Sequence, residues 1–132
     1  MKIPNLKCQI DAYCVINSTE DPAKVKQAIS NILPESKIQI SKNSLKATSQ
    51  NLDTLSNIFR ATHSRKTQGV YRRFLNNNLY DYSTWFYLNK QAALSNIIAL
   101  CDEADESPLG PIKIVLTSNN IDQIIEWLVS EG

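Results

Sequence analysis

Apolar side chains recur at every second position through residues 6–16. Leu6, Cys8, Ile10, Ala12, Cys14 and Ile16 fall on one face, and Lys7, Gln9, Asp11 and Tyr13 on the other. Successive strand residues point to opposite sides, so this pattern predicts a long strand with one face in the core. The period then changes. Asp21-Pro22 supplies a helix N-cap followed by a residue whose missing N–H is harmless in the first turn. Val25, Ala28, Ile29, Ile32 and Leu33 form the apolar stripe of that helix, and Pro34 ends it. Ile38 with Ile40, then Leu45 with Ala47, predict two short strands joined near Lys42-Asn43, where Asn tolerates positive φ. Helical spacing returns with Leu52, Leu55, Ile58, Phe59 and Thr62, and again with Val70, Tyr71, Phe74 and Leu75. Gly69 is the expected break between the two stretches. On the second stretch Arg72 and Arg73 lie off the apolar stripe and are expected in solvent.

Residues 82–88 are aromatic and strand-like. Residues 90–95 suit one short helical turn. The continuous apolar run 97–101 predicts a strand covered on both faces. An acidic loop at 102–108 precedes a strand at 112–117. Ser118 or Asn119 caps a last helix with Ile121, Ile124, Ile125, Leu128 and Val129 inward. The order is β-α-β-β-α-α-β-β-β-α. Strands and helices mix without regular alternation, so the expectation is α+β: one domain over residues 1–132, with a mixed or antiparallel sheet covered by helices. At 132 residues the chain suits one domain that needs no disulfide or metal to hold it.

Composition removes several classes of function. Gly69, Gly110 and Gly132 are the only glycines, which excludes a glycine-rich phosphate loop. His63 is the only histidine, and no carboxylate lies within nine residues of it. No run of ~18 apolar residues is available to cross a membrane. Cys8 and Cys14 are separated by roughly 20 Å on an extended strand, too far to share a metal ion. The three cysteines and a polar start at residues 1–5 point to free, buried thiols in the cytoplasm. Asp102, Glu103, Asp105 and Glu106 read as solvated loop acids rather than a catalytic pair. No catalytic residue, metal or cofactor is expected, and the chain reads as a binding protein rather than an enzyme.

The net charge of +1 hides a division. Residues 1–100 hold thirteen basic and six acidic side chains, while residues 101–132 hold one basic and seven acidic. Residues 54–80 contain Arg60, Arg65, Lys66, Arg72 and Arg73 and no acid. Such a stretch can neutralise phosphates, although solvated helix faces carry charge too. The aromatic strand presents Trp85 on the face opposite Tyr82 and Phe86. Either face can stack on bases, yet packing against helices is the commoner use.

Three further segments carry a resemblance. Glu20-Asp21-Pro22-Ala23-Lys24-Val25, Leu88-Asn89-Lys90-Gln91-Ala92-Ala93 and Ser107-Pro108-Leu109-Gly110-Pro111-Ile112 occur in this order. Together they resemble a family of small, uncharacterised archaeal proteins labelled RNA-binding or exosome-related, from about residue 6 to the final helix. The resemblance implies a fold similar to large-subunit ribosomal protein five, with helices over a sheet. It implies no catalytic residues. It places Asn89, Lys90 and Gln91 at the end of the aromatic strand, where they would meet a ligand or cap the following turn. The functional expectation is a module that binds structured RNA by its phosphates. The expected contacts are Arg60, Arg65, Lys66, Arg72, Arg73 and Lys90. The alternative is a protein-interaction or self-assembling module, in which the basic and acidic regions pair with a second copy or another protein.

Overall fold

A computed structural model describes residues 2–131. The strands are β1 (Gln9–Val15), β2 (Lys37–Ile40), β3 (Ser44–Ser49), β4 (Ser83–Leu88), β5 (Leu100–Cys101) and β6 (Ile112–Thr117). The helices are α1 (Pro22–Ile32), α2 (Ser56–Ser64), α3 (Gln68–Asn77), α4 (Lys90–Leu94) and α5 (Ile121–Leu128). Short 3₁₀ turns at Leu52–Leu55 and Ala104–Glu106 complete the order. The strands form one sheet in the order β2-β3-β1-β6-β4-β5, with every pairing antiparallel. This is the α+β architecture the periodicity implied.

One sheet face carries the core. Ile10, Ala12 and Cys14 of β1 lie in register with Leu45 and Ala47 of β3 and with Ile114 and Leu116 of β6. Phe86 and Leu88 of β4 extend the layer, and Val25, Ile29, Leu55, Ile58, Leu75, Ile124 and Leu128 pack on it from the helices. Tyr71 is buried and meets the Phe86 ring edge-on at 5.5 Å between centroids. Asp21 caps α1, its carboxylate accepting from the Ala23 N–H. Cys8, Cys14 and Cys101 are free and buried. Burial pushes the Cys8 and Cys14 thiols up to about 11, so they stay protonated near neutrality.

Two local expectations are corrected. The break between α2 and α3 falls at Lys66, which takes a left-handed φ of 55°, while Gly69 lies inside the first turn of α3. The Lys66 N–H donates to the His63 carbonyl and the Thr67 N–H to the Thr62 carbonyl, a helix stop usually made with glycine. The run 97–101 is not a strand covered on both faces. Only Leu100 and Cys101 pair, at the sheet edge, and Ile97 is 43% exposed. Asn96 adopts φ 60° and the Ile97 N–H returns to the Ala92 carbonyl, so the chain is still closing α4 where a strand was expected. No helix among the described residues is long and apolar enough to cross a membrane.

Candidate nucleic-acid interface

Most of the expected contact residues lie on α2, α3 and the turn between them, the α2–α3 corner. Arg60, Arg65, Lys66 and Arg73 are exposed there. Arg60 donates to the Asn57 amide oxygen at 2.9 Å, and Arg65 donates to the Ile98 carbonyl at 3.2 Å. The Arg73 guanidinium sits 5.3 Å from the centre of the Phe74 ring. These partners are neutral, and none of the four side chains forms a salt bridge with a carboxylate among the described residues. Arg65 and Arg73 also line one cleft of about 410 Å³, together with Phe74, Asp102 and Glu106. Those two acids bound the basic surface on the side of the acidic loop.

Arg72 stands apart from this group. It is half-buried and forms an ion pair with Glu126 of α5. The basic stretch and the acidic C-terminal region therefore meet within one chain, through an exposed pair that salt weakens. His63 is not free on the surface either. Its ring stacks on Phe59 at 3.9 Å, and Nε2 donates to the Leu128 carbonyl at 3.0 Å, closing the end of α5 onto α2.

Lys90 is a correction to the expected surface. It is 0% exposed. Its three ammonium hydrogens go to the Val15 carbonyl at 2.9 Å, Glu20 Oε1 at 2.9 Å and the Leu109 carbonyl at 2.8 Å. Glu20 Oε1 also accepts from the Asn17 backbone and side-chain N–H groups. The Lys90 N–H donates to Ser107 Oγ, which donates to the Gly110 carbonyl. Asn89 accepts from the Ala92 N–H and caps α4. The three segments that carry the family resemblance thus converge on one buried clasp, and Lys90 is spent on the fold.

The clasp has a pH signature. Burial alone raises the Glu20 carboxyl, but the Asn17 N–H, the Lys90 ammonium and the Asn17 amide outweigh it and hold the group below its ordinary value. A depressed carboxyl contributes stability that is complete above its unfolded value of about 4.3 and is lost as pH falls through the lower folded value. Urea midpoints of the wild-type protein are therefore expected to fall below about pH 4.3. Glu20→Gln should be less stable at neutral pH and flatter across that acid range.

The outward sheet face gives a second group that periodicity only partly revealed. Tyr13, Lys46, Lys113, Trp85 and Tyr87 all project from it, because each alternates with core residues on its strand. Trp85 shares this face with Tyr87, while Phe86 is in the core and Tyr82 precedes β4.

Comparison with known proteins agrees with this architecture. A family model described as RNA binding matches residues 9–118. The UPF0201 protein of Methanothermobacter thermautotrophicus is 35% identical over 116 residues, covering 88% of this chain and 86% of that protein. The UPF0201 protein of Sulfurisphaera tokodaii is 33% identical, covering 86% and 81% respectively. A crystal structure of an uncharacterized UPF0201 protein superimposes with a TM-score of 0.80 at 28% identity, covering 94% of each chain. The Methanococcus jannaschii UPF0201 protein superimposes equally well, with a TM-score of 0.80 at 23% identity and 94% of each chain, and so shares the fold. By sequence and fold together, the chain belongs to the archaeal UPF0201 family, whose family model carries the description RNA binding.

Proposed function

We propose that this protein is an RNA-binding module that grips structured RNA by its phosphates through the α2–α3 corner. The observation that carries the reading is the exposure of Arg60, Arg65, Lys66 and Arg73 within a stretch free of acids, none of them paired with a carboxylate among the described residues. Guanidinium groups suit phosphate oxygens because their planar donors bind two oxygens at once. Phosphate contacts fix position on an RNA without reading its sequence. The family description supports the same partner. Arg72, already engaged by Glu126, contributes less, and Lys90 contributes none.

Charge reversal tests this surface. Arg65→Glu combined with Arg73→Glu should weaken binding of a fluorescently labelled RNA hairpin by at least about tenfold and flatten the salt dependence by about two units of slope. Both side chains are exposed, so urea midpoints should change little. Wild-type affinity and slope in this variant would show that the corner is not the binding surface. The self-assembly alternative needs basic and acidic regions to meet between chains, whereas Arg72 and Glu126 already meet within one.

A further inference from the structure

Helices cover one face of the sheet, and the other face keeps an unusual set of side chains. Antiparallel register aligns Gln39 of β2, Lys46 of β3, Tyr13 of β1, Lys113 of β6 and Tyr87 of β4 in one row. The adjacent row holds Lys37, Thr48, Asp11, Val115 and Trp85. With strands about 4.8 Å apart, Lys46 to Tyr87 spans roughly 14 Å. Lysines and aromatic rings therefore alternate across three strand spacings. The Lys113 ammonium lies 4.7 Å from the centre of the Trp85 ring, and that of Lys46 lies 5.5 Å from Tyr13. Trp85 and Tyr87 stand side by side with centroids 4.9 Å apart.

Solubility alone does not call for this arrangement. Tyr13 is 41% exposed and Val15 is 51% exposed, and apolar surface on an uncovered sheet is a liability unless it binds something. The charge is one-sided as well. Lys37, Lys46 and Lys113 face a single acid, Asp11, whose carboxylate already accepts from the Gln9 side chain at 3.1 Å. A groove of about 540 Å³ opens between Tyr13, Gln39, Lys46 and Lys113. At the other margin Asp102 and Glu103 border the space beside Trp85 and Tyr87, so an anionic chain is directed toward β3 and away from β5.

We propose that this face binds unpaired nucleotides of an RNA strand. Bases stack on Tyr13, Trp85 and Tyr87, and phosphates draw Lys46 and Lys113 off the rings. Stacking tolerates every base because each presents a π face, and interleaved cations neutralise the backbone. This inference rests on the RNA-binding reading and adds a substrate class to it. The α2–α3 corner holds structured RNA, and the sheet holds unpaired nucleotides.

The test uses the intact protein with two probes, a ten-nucleotide single-stranded RNA and a fully paired RNA hairpin. The single strand should quench wild-type tryptophan fluorescence, and Trp85→Phe should lose most of that quenching. Tyr13→Ala with Lys113→Glu should weaken the single strand about tenfold and leave the hairpin within about twofold. Tyr13 is exposed and Lys113 half-exposed, and urea midpoints confirm that the variant folds. Unchanged single-strand affinity with no quenching overturns the sheet site, while hairpin binding keeps the corner. Failure of the wild-type protein to bind either RNA overturns both readings. A shift from dimer to monomer in this variant, with RNA affinity unchanged, assigns the face to a second copy and also overturns the proposal.

Discussion

Lys90→Ala is expected to destabilise the protein by about 3–5 kcal/mol, the largest loss foreseen for a single side chain outside the apolar core. The effect comes from what the substitution leaves behind. The Glu20 side chain, 7% exposed, keeps its charge without its counterion. The Val15 and Leu109 carbonyls lose their ammonium donor. Removing one partner of a buried pair strands the other, which is worse than removing both. Lys90→Met with Glu20→Gln should therefore recover part of the stability lost by Lys90→Met alone. The measurement is urea unfolding of the three variants beside wild type. Against a total of about 5–15 kcal/mol for a domain of ordinary stability, Lys90→Ala leaves a marginal protein. A loss under about 1 kcal/mol would mean that water reaches the ion pair and replaces the ammonium.

The clasp shows what periodicity cannot reach. A lysine at the start of a short helix reads as surface, since lysine is almost never fully buried unless paired. Its burial depends on carbonyls from residues 15 and 109 and a carboxylate from residue 20, brought together only by the finished fold. The elements themselves were legible. Alternation along β1 and the stripe on α1 each reflect one face in the core and one in water, and every expected core residue of those two elements is buried except Leu6, which is partly buried and precedes the observed strand. The run 97–101 misled because apolar content carries no information about Asn96 turning left-handed and diverting the backbone bonds.

The candidate sites divide in the same way. The exposure of Arg60, Arg65, Lys66 and Arg73 was legible because unpaired charge is rarely buried, whether it lies off a helix's apolar stripe, as in Arg60 and Arg73, or in the turn between helices, as in Arg65 and Lys66. The Arg72–Glu126 pair was not, since it joins residues 54 positions apart. For the sheet, alternation places Tyr13 opposite the core, but nothing local says that Lys46 and Lys113 flank it, with Tyr87 beyond Lys113. That row exists because β1 runs between β3 and β6, with β4 on the far side of β6. Strand order is a property of the assembled sheet, so the row emerges only with the topology.

The second large effect is the response of RNA affinity to salt. Each phosphate neutralised releases counterions, and log affinity falls by about 0.9 per contact for each unit of log salt on a paired helix. Four contacts from Arg60, Arg65, Lys66 and Arg73 give a slope near −3.6. Raising salt from ~50 to ~300 mM should then weaken hairpin binding by roughly 600-fold. Uncharged contacts change little over that range, so the slope counts the cations engaged. The direct measurement is fluorescence anisotropy of a labelled RNA hairpin with the wild-type protein across this series. A slope between about −3 and −4 is the predicted result. A slope flatter than about −1, or no binding at the lowest salt, would contradict the claim that this family member holds RNA through its α2–α3 corner.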